Sequence, residues 1–223
     1  KSYYAFRKLG FDVDVIDMEQ ELEPYAVVAA PMLYMFRNEY AEKIHNFVAL
    51  GGHLILTYWS GIVDENDLCF LGGTPHALMD VMGLRSTEID ALYDGEQNVG
   101  IPVSGNKLQM EKAWCCDKLC DLVQVSTAEV LMTYGQDFYE NWPAFTRNIY
   151  GKGTAYYICA DFEQGFYDEV YSKITQDAGL KRVLPSIPNG VEVTSRYGEG
   201  CRYIFIQNFN QFSVEIELPI ERM

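Results

Sequence analysis

Between Tyr25 and Gly83 short apolar runs alternate with amphipathic stretches, and this succession restricts the chain to a sheet covered on both faces by helices. Tyr25-Ala26-Val27-Val28-Ala29-Ala30 is continuously apolar and ends at Pro31, the pattern of a buried parallel strand. Asn38 can cap a helix in which Tyr40, Ala41, Ile44, Phe47 and Val48 form one apolar stripe, and Gly51-Gly52 ends it. His53 to Tyr58 follows as the next strand. Thr74-Pro75 places a cap before a proline at a first helical position; Ala77, Leu78, Val81 and Met82 supply the stripe and Gly83 the stop. Upstream, Tyr3, Phe6 and Leu9 recur at helical spacing before Gly10, and Phe11 to Ile16 alternates like a strand with one solvated face. The expected class is α/β, with a mostly parallel sheet and helices on both faces.

The pattern dissolves from Asp90 to Leu119 into loops and short strands, then resumes as strands at 121–125, 129–134 and 143–150. Gly151-Lys152-Gly153 predicts a tight hairpin into the apolar run Thr154 to Ala160, with glycine where positive φ is needed. A last helix presents Tyr167, Val170, Tyr171, Ile174 and Ala178 on one side and stops at Gly179. Pro185 to Gly190 has the composition of a linker. Beyond it, Val191–Tyr197, Cys201–Asn208 and Phe212–Leu218 have the pattern of three short strands. The expected organisation is an α/β domain over residues 1–182 and a small antiparallel β domain over 183–223. Three such strands bury too little to stand alone, so this piece is expected to pack on something else or to be a partial domain.

The chain carries 32 acidic and 17 basic residues, a formal charge of −15. That field repels phosphate backbones and anionic lipid, so neither nucleic acid nor a membrane is an expected partner. No apolar run approaches the roughly 20 residues that span a bilayer. The first residues, Lys1 to Arg7, already lie inside a helical pattern, so the natural polypeptide is expected to continue upstream. His45, His53 and His76 are far in sequence from the cluster Cys115-Cys116 with Cys120, which itself lacks the paired spacing of a structural zinc site; the other cysteines are Cys69, Cys159 and Cys201. All six cysteines are expected to be reduced thiols in a cytoplasmic protein, with no metal and no cofactor.

In an open α/β sheet ligands meet the carboxyl ends of the strands, which here means two segments. One is Pro31 to Phe36, with Tyr34, Met35 and Phe36; the other is Trp59 to Asp67, with Asp64, Glu65, Asn66 and Asp67. Paired acids can hydrolyse glycosides or hold a metal. The same residues cap turns, and that reading is favoured because no second acidic cluster follows another parallel strand. The aromatic and methionine side chains argue for a contact surface, to a subunit or a domain, or for stacking on sugar. Nucleophile elbows, zinc helices, phosphate loops and dinucleotide turns are all missing, so no catalytic residue is expected.

Five stretches, in order, resemble the middle domain of glycoside hydrolase family 42 β-galactosidases. They are Tyr3 to Val15; Ala30 to Tyr34; Gly51 to Tyr58 with Ser60 to Asp67 and Leu71-Gly72-Gly73; Ala128 to Leu131; and Tyr150 to Ile158. The resemblance implies an amidotransferase-like α/β domain that builds a homotrimer, placed between a catalytic (β/α)₈ barrel and a small antiparallel β domain. It implies that both catalytic glutamates lie in that barrel, which this sequence lacks. The expected function is accordingly non-catalytic oligomerisation within an enzyme that hydrolyses terminal β-D-galactosides. Two other classes share the architecture: a free-standing class I amidotransferase-like hydrolase and a flavodoxin-like ligand-binding module. The first needs a reactive cysteine just beyond a strand, whereas Cys159 lies within one. The second needs a phosphate cradle, whereas Asp17-Met18-Glu19-Gln20-Glu21 is acidic.

Overall fold

The computed structural model describes residues 1–218. In chain order its elements are α1 (Ser2–Lys8), β1 (Val27–Ala30), α2 (Ala41–Ala49), β2 (His53–Thr57), α3 (Met79–Met82), β3 (Leu84–Ala91), β4 (Asn98–Pro102) and β5 (Trp114–Val125). Then come β6 (Glu129–Tyr134), β7 (Pro143–Tyr150), β8 (Gly153–Ile158), β9 (Ala160–Phe162), α4 (Gln164–Asp177), β10 (Val191–Gly198) and β11 (Cys201–Asn208). The chain forms two compact units, residues 17–166 and residues 1–16 together with those from Tyr167 onward.

The larger unit is built on a nine-stranded sheet of order β1-β2-β8-β7-β6-β4-β5-β3, with β9 also paired to β5. The α/β class stands, but the sheet is mixed. Among the described residues of this sheet only β1–β2 and β2–β8 form parallel ladders, and the remaining ladders are antiparallel. Connection length is the reason. Parallel neighbours need a crossover, which α2 supplies between β1 and β2, whereas short turns between β6, β7 and β8 permit only hairpins. The glycine turn before β8 is of this kind, with Gly151 at φ 61°.

β8 is buried at all six positions, as a strand covered on both faces must be. β1 was expected to be as deeply buried; it is half-buried throughout, because it lies at the end of the strand order. The stripe of α2 is as expected, with Ile44, Phe47 and Val48 buried. The helix expected after Thr74-Pro75 is shorter, a 3-10 turn over His76–Leu78 followed by one turn of α3. Gly83 ends it in the left-handed region at φ 64°. The stretch expected to hold loops and short strands contains the five-residue β4 and the first half of β5, which is longer than expected at twelve residues, and β3 precedes it. Phe145, Phe162 and Phe166 form a buried cluster, with Phe166 stacked on Phe162 at 4.2 Å and edge-on to Phe145 at 5.5 Å.

In the smaller unit Phe6 meets Tyr171 edge-on at 4.6 Å, and the Tyr171 hydroxyl donates to Ser2 Oγ at 2.8 Å. Arg7 bonds Glu192 at 2.7 Å. The alternation at 11–16 does not make a strand. Its polar side chain Asp12 instead accepts the backbone N–H of Ser195 at 2.7 Å, a side-chain bond in place of a ladder. β10 and β11 form the expected antiparallel hairpin. The third strand expected at Phe212–Leu218 is not formed; Val214 and Ile216 pack by their side chains against Val183, Leu184, Val191 and Val193. Residues 219–223, the end of the expected β domain, lie outside the described residues. No helix among the described residues is long and apolar enough to cross a membrane.

Candidate functional site

The loops after β1 and β2 are knitted into one body, because each supplies hydrogen bonds the other lacks. Met32 N–H donates to Thr57 Oγ1 at 2.7 Å, and Leu33 N–H donates to Ser60 Oγ at 3.0 Å. Gly61 N–H returns to Leu33 O at 2.7 Å, and Ile62 N–H to Tyr34 O at 2.9 Å. Phe36 N–H donates to Val63 O at 2.9 Å, and Met35 bridges Val63 in parallel register. Loops tied this closely present their side chains with little freedom left to lose on contact.

Tyr34, Met35 and Trp59 are exposed on this body by 37%, 40% and 36%. Tyr34 and Trp59 pack edge to face, centroids 5.6 Å apart. The Tyr34 hydroxyl donates to Asp67 Oδ1 at 3.1 Å, and that bond holds the phenol above its ordinary pKa. Met32 and Leu68, which the sequence reading passed over, add exposed apolar surface nearby in the chain. Phe36 corrects the expectation. It is fully buried, and its position next to the Val63 bridge makes it the anchor of the loop rather than part of its face.

The acidic run behaves as a turn. Asp64 Oδ1 accepts the backbone N–H groups of Asn66 at 2.8 Å and Leu68 at 3.0 Å, the bonding of a side chain that caps its own turn. Glu65, Asn66 and Asp67 are exposed around it, and Asp67 takes a left-handed φ of 62°. Among the described residues no group of three or more His, Cys, Asp or Glu side chains is arranged to hold a metal ion. The six cysteines are free thiols; Cys69, Cys115 and Cys201 are exposed, and Cys116, Cys120 and Cys159 are buried.

Beneath Trp59 lies a group that sequence reading missed. Asp121, on β5, is fully buried; its Oδ2 accepts the Tyr157 hydroxyl at 2.7 Å and the Trp59 backbone N–H at 3.2 Å. Burial pushes its carboxyl up to about 6. Trp59 itself stands at φ 56° directly after β2 and Tyr58. A strained residue just past a parallel strand is where hydrolases of this general architecture place a nucleophile. Here that position is an indole, which cannot act as one. Cys159, expected within a strand, instead lies at the junction just after β8 and before β9, fully buried and with its thiol pushed up by that burial. The geometry gives the amidotransferase-like alternative no nucleophile at this turn.

Residues 1–181 match the family described as the beta-galactosidase trimerisation domain. A β-galactosidase of Alicyclobacillus acidocaldarius is 43% identical over 217 residues, which is 97% of this chain and 32% of that protein. One from Clostridium perfringens is 42% identical, over 98% of this chain and 32% of that protein. Among solved structures, the cold-adapted β-galactosidase of Rahnella sp. R3 superposes with a TM-score of 0.90 at 40% identity, covering 94% of this chain and 31% of that one. The β-galactosidase of Bacillus circulans sp. alkalophilus gives 0.90 at 39% identity, over 94% and 31%. The chain thus spans about a third of the length of the relatives it matches. It belongs to the family of β-galactosidase trimerisation domains and is an accessory region of the glycoside hydrolase family 42 type.

Proposed function

We propose that this chain is the self-association region of a longer β-galactosidase, that it forms a homotrimer there, and that it hydrolyses no glycoside by itself. The match over residues 1–181 carries this reading. The α/β part, residues 1–182, would supply the subunit contact, and residues 183–223 part of a small antiparallel β domain. Hydrolysis of terminal β-D-galactosides would belong to a catalytic barrel elsewhere in the parent. Three exposed free thiols suit a reducing, cytoplasmic compartment. The charge of −15 argues against nucleic acid and anionic membrane as partners.

The surface we assign to the subunit contact is the strand-end body that carries Tyr34, Met35 and Trp59, with Asp64, Glu65, Asn66 and Asp67 at its rim. Its support is rigid presentation of large apolar side chains to solvent. A closed ring of three requires one patch to meet a different patch on its neighbour, so this surface would be one half of a heterologous pair. Tyr34→Ser with Trp59→Ser, compared with the wild-type chain by light scattering across concentration, tests it. Dissociation of the variant at concentrations where the wild type is trimeric is expected. An unchanged mass and stability would remove these loops from the contact, and turnover of a chromogenic β-galactoside by the chain would refute the non-catalytic reading.

A further inference from the structure

A tryptophan in the left-handed region is held there against a conformational cost, so something must hold it. Among the described contacts of the Trp59 backbone N–H, the acceptor is Asp121 Oδ2 at 3.2 Å. The same oxygen accepts the Tyr157 hydroxyl at 2.7 Å, while the other oxygen, Oδ1, is buried without a hydrogen-bond partner. We propose that Asp121 is a positioning residue and a proton-sensitive clamp: its ionised carboxylate fixes Trp59 in the conformation that presents the Tyr34–Trp59 pair, and protonation slackens that hold.

An ionised acceptor makes bonds roughly twice as strong as a neutral one. The unpartnered Oδ1 offers a place for the proton without displacing either donor. The groups facing the carboxylate do little to keep it charged. Tyr157 on β8 donates to it, and Tyr134 on β6 donates to its backbone carbonyl at 3.2 Å. Cys159 lies between β8 and β9, and Tyr58, after β2, stands among Asp117, Asp121 and Asp161. Lys118 is engaged by Asp161 at 3.0 Å. Desolvation therefore dominates, and the carboxyl is pushed up to about 6, where physiological acidification would reach it. The consequence for assembly rests on the contact reading above, whereas the clamp itself does not.

The full chain labelled with 5-fluorotryptophan, followed by fluorine NMR from pH 5 to 8, tests the clamp. Trp59→Phe assigns the resonance, and Trp114 and Trp142 serve as internal references. The Trp59 signal is expected to titrate with a midpoint near 6 and to stand still in Asp121→Asn. His76, stacked on Phe70 at 3.7 Å in the same connection, is the competing titrant. A shift that survives in Asp121→Asn, or no shift in the wild type, overturns the proposal. Tyr157→Phe removes one donor from the carboxylate and is expected to raise the midpoint; an unmoved midpoint also overturns it. Light scattering over the same pH range separates the two readings. Titration of Trp59 with constant mass sustains the clamp and refutes the contact, while a mass change with Trp59 static refutes the clamp.

Discussion

Alanine at position 83 should cost far more than a glycine in that conformation normally does. Gly83 closes α3 at φ 64°, and a residue with a Cβ pays about 1–2 kcal/mol there. Its Cβ would also stand 2.5 Å from Thr127 Oγ1, 2.6 Å from Asn148 Cγ and 2.7 Å from Asn148 Oδ1. Asn148 cannot yield without loss. It is buried, it donates to Val81 O at 2.8 Å and Asp80 O at 3.3 Å, and it accepts from Thr127 Oγ1 at 3.0 Å. Giving up two or three such bonds costs about 1 kcal/mol each, so Gly83→Ala should lose about 3–5 kcal/mol. Gly105→Ala is the matched control: φ is 73°, no atom lies within 4 Å of the added methyl, and only the backbone term of about 1–2 kcal/mol applies. Urea denaturation of both variants, followed by far-UV circular dichroism, measures the difference. Equal losses would refute the argument that Asn148 makes this corner rigid.

Asp121 provides a second measurement, of stability rather than loop position. Its carboxyl is raised from 3.8 to about 6, so its contribution is fully present below the unfolded value and is lost as pH rises through the folded one. The wild type should therefore lose about 3 kcal/mol relative to Asp121→Asn between about pH 3.5 and pH 7, and little beyond. A pH-independent difference between the two would show that the buried acid does not titrate. Thiol labelling should divide the cysteines by burial: Cys69, Cys115 and Cys201 react in the native chain, and Cys116, Cys120 and Cys159 only after unfolding. Native labelling of a fourth cysteine, identified by peptide mass, would contradict the packing of β5 and of the junction between β8 and β9.

What could be read in the sequence was what local periodicity and turn chemistry decide. The stripe of α2, the runs of β2 and β8, the glycine hairpin between β7 and β8, and the stops at Gly83 and Gly179 all follow from neighbours a few residues apart. The choice of partner did not follow, because β8 joins β2 across about a hundred residues and nothing within either run marks the other. The same limit explains residues 11–16, whose alternation suits a strand but whose Asp12 finds Ser195, 183 positions away. It also explains Phe36, which no pattern separates from Tyr34 and Met35 until Val63 is brought alongside. Asp121 was hidden for a different reason. A single acid ahead of Leu122 and Val123 suggests the solvated side of a strand, whereas the donors that bury it come from Tyr157 and from the backbone of Trp59. Surface aromatics could thus be nominated from sequence, while the buried charge beneath them required the sheet. That asymmetry is physical: a contact face is written in the side chains that compose it, but a buried carboxylate is tolerated only where distant elements converge to satisfy it.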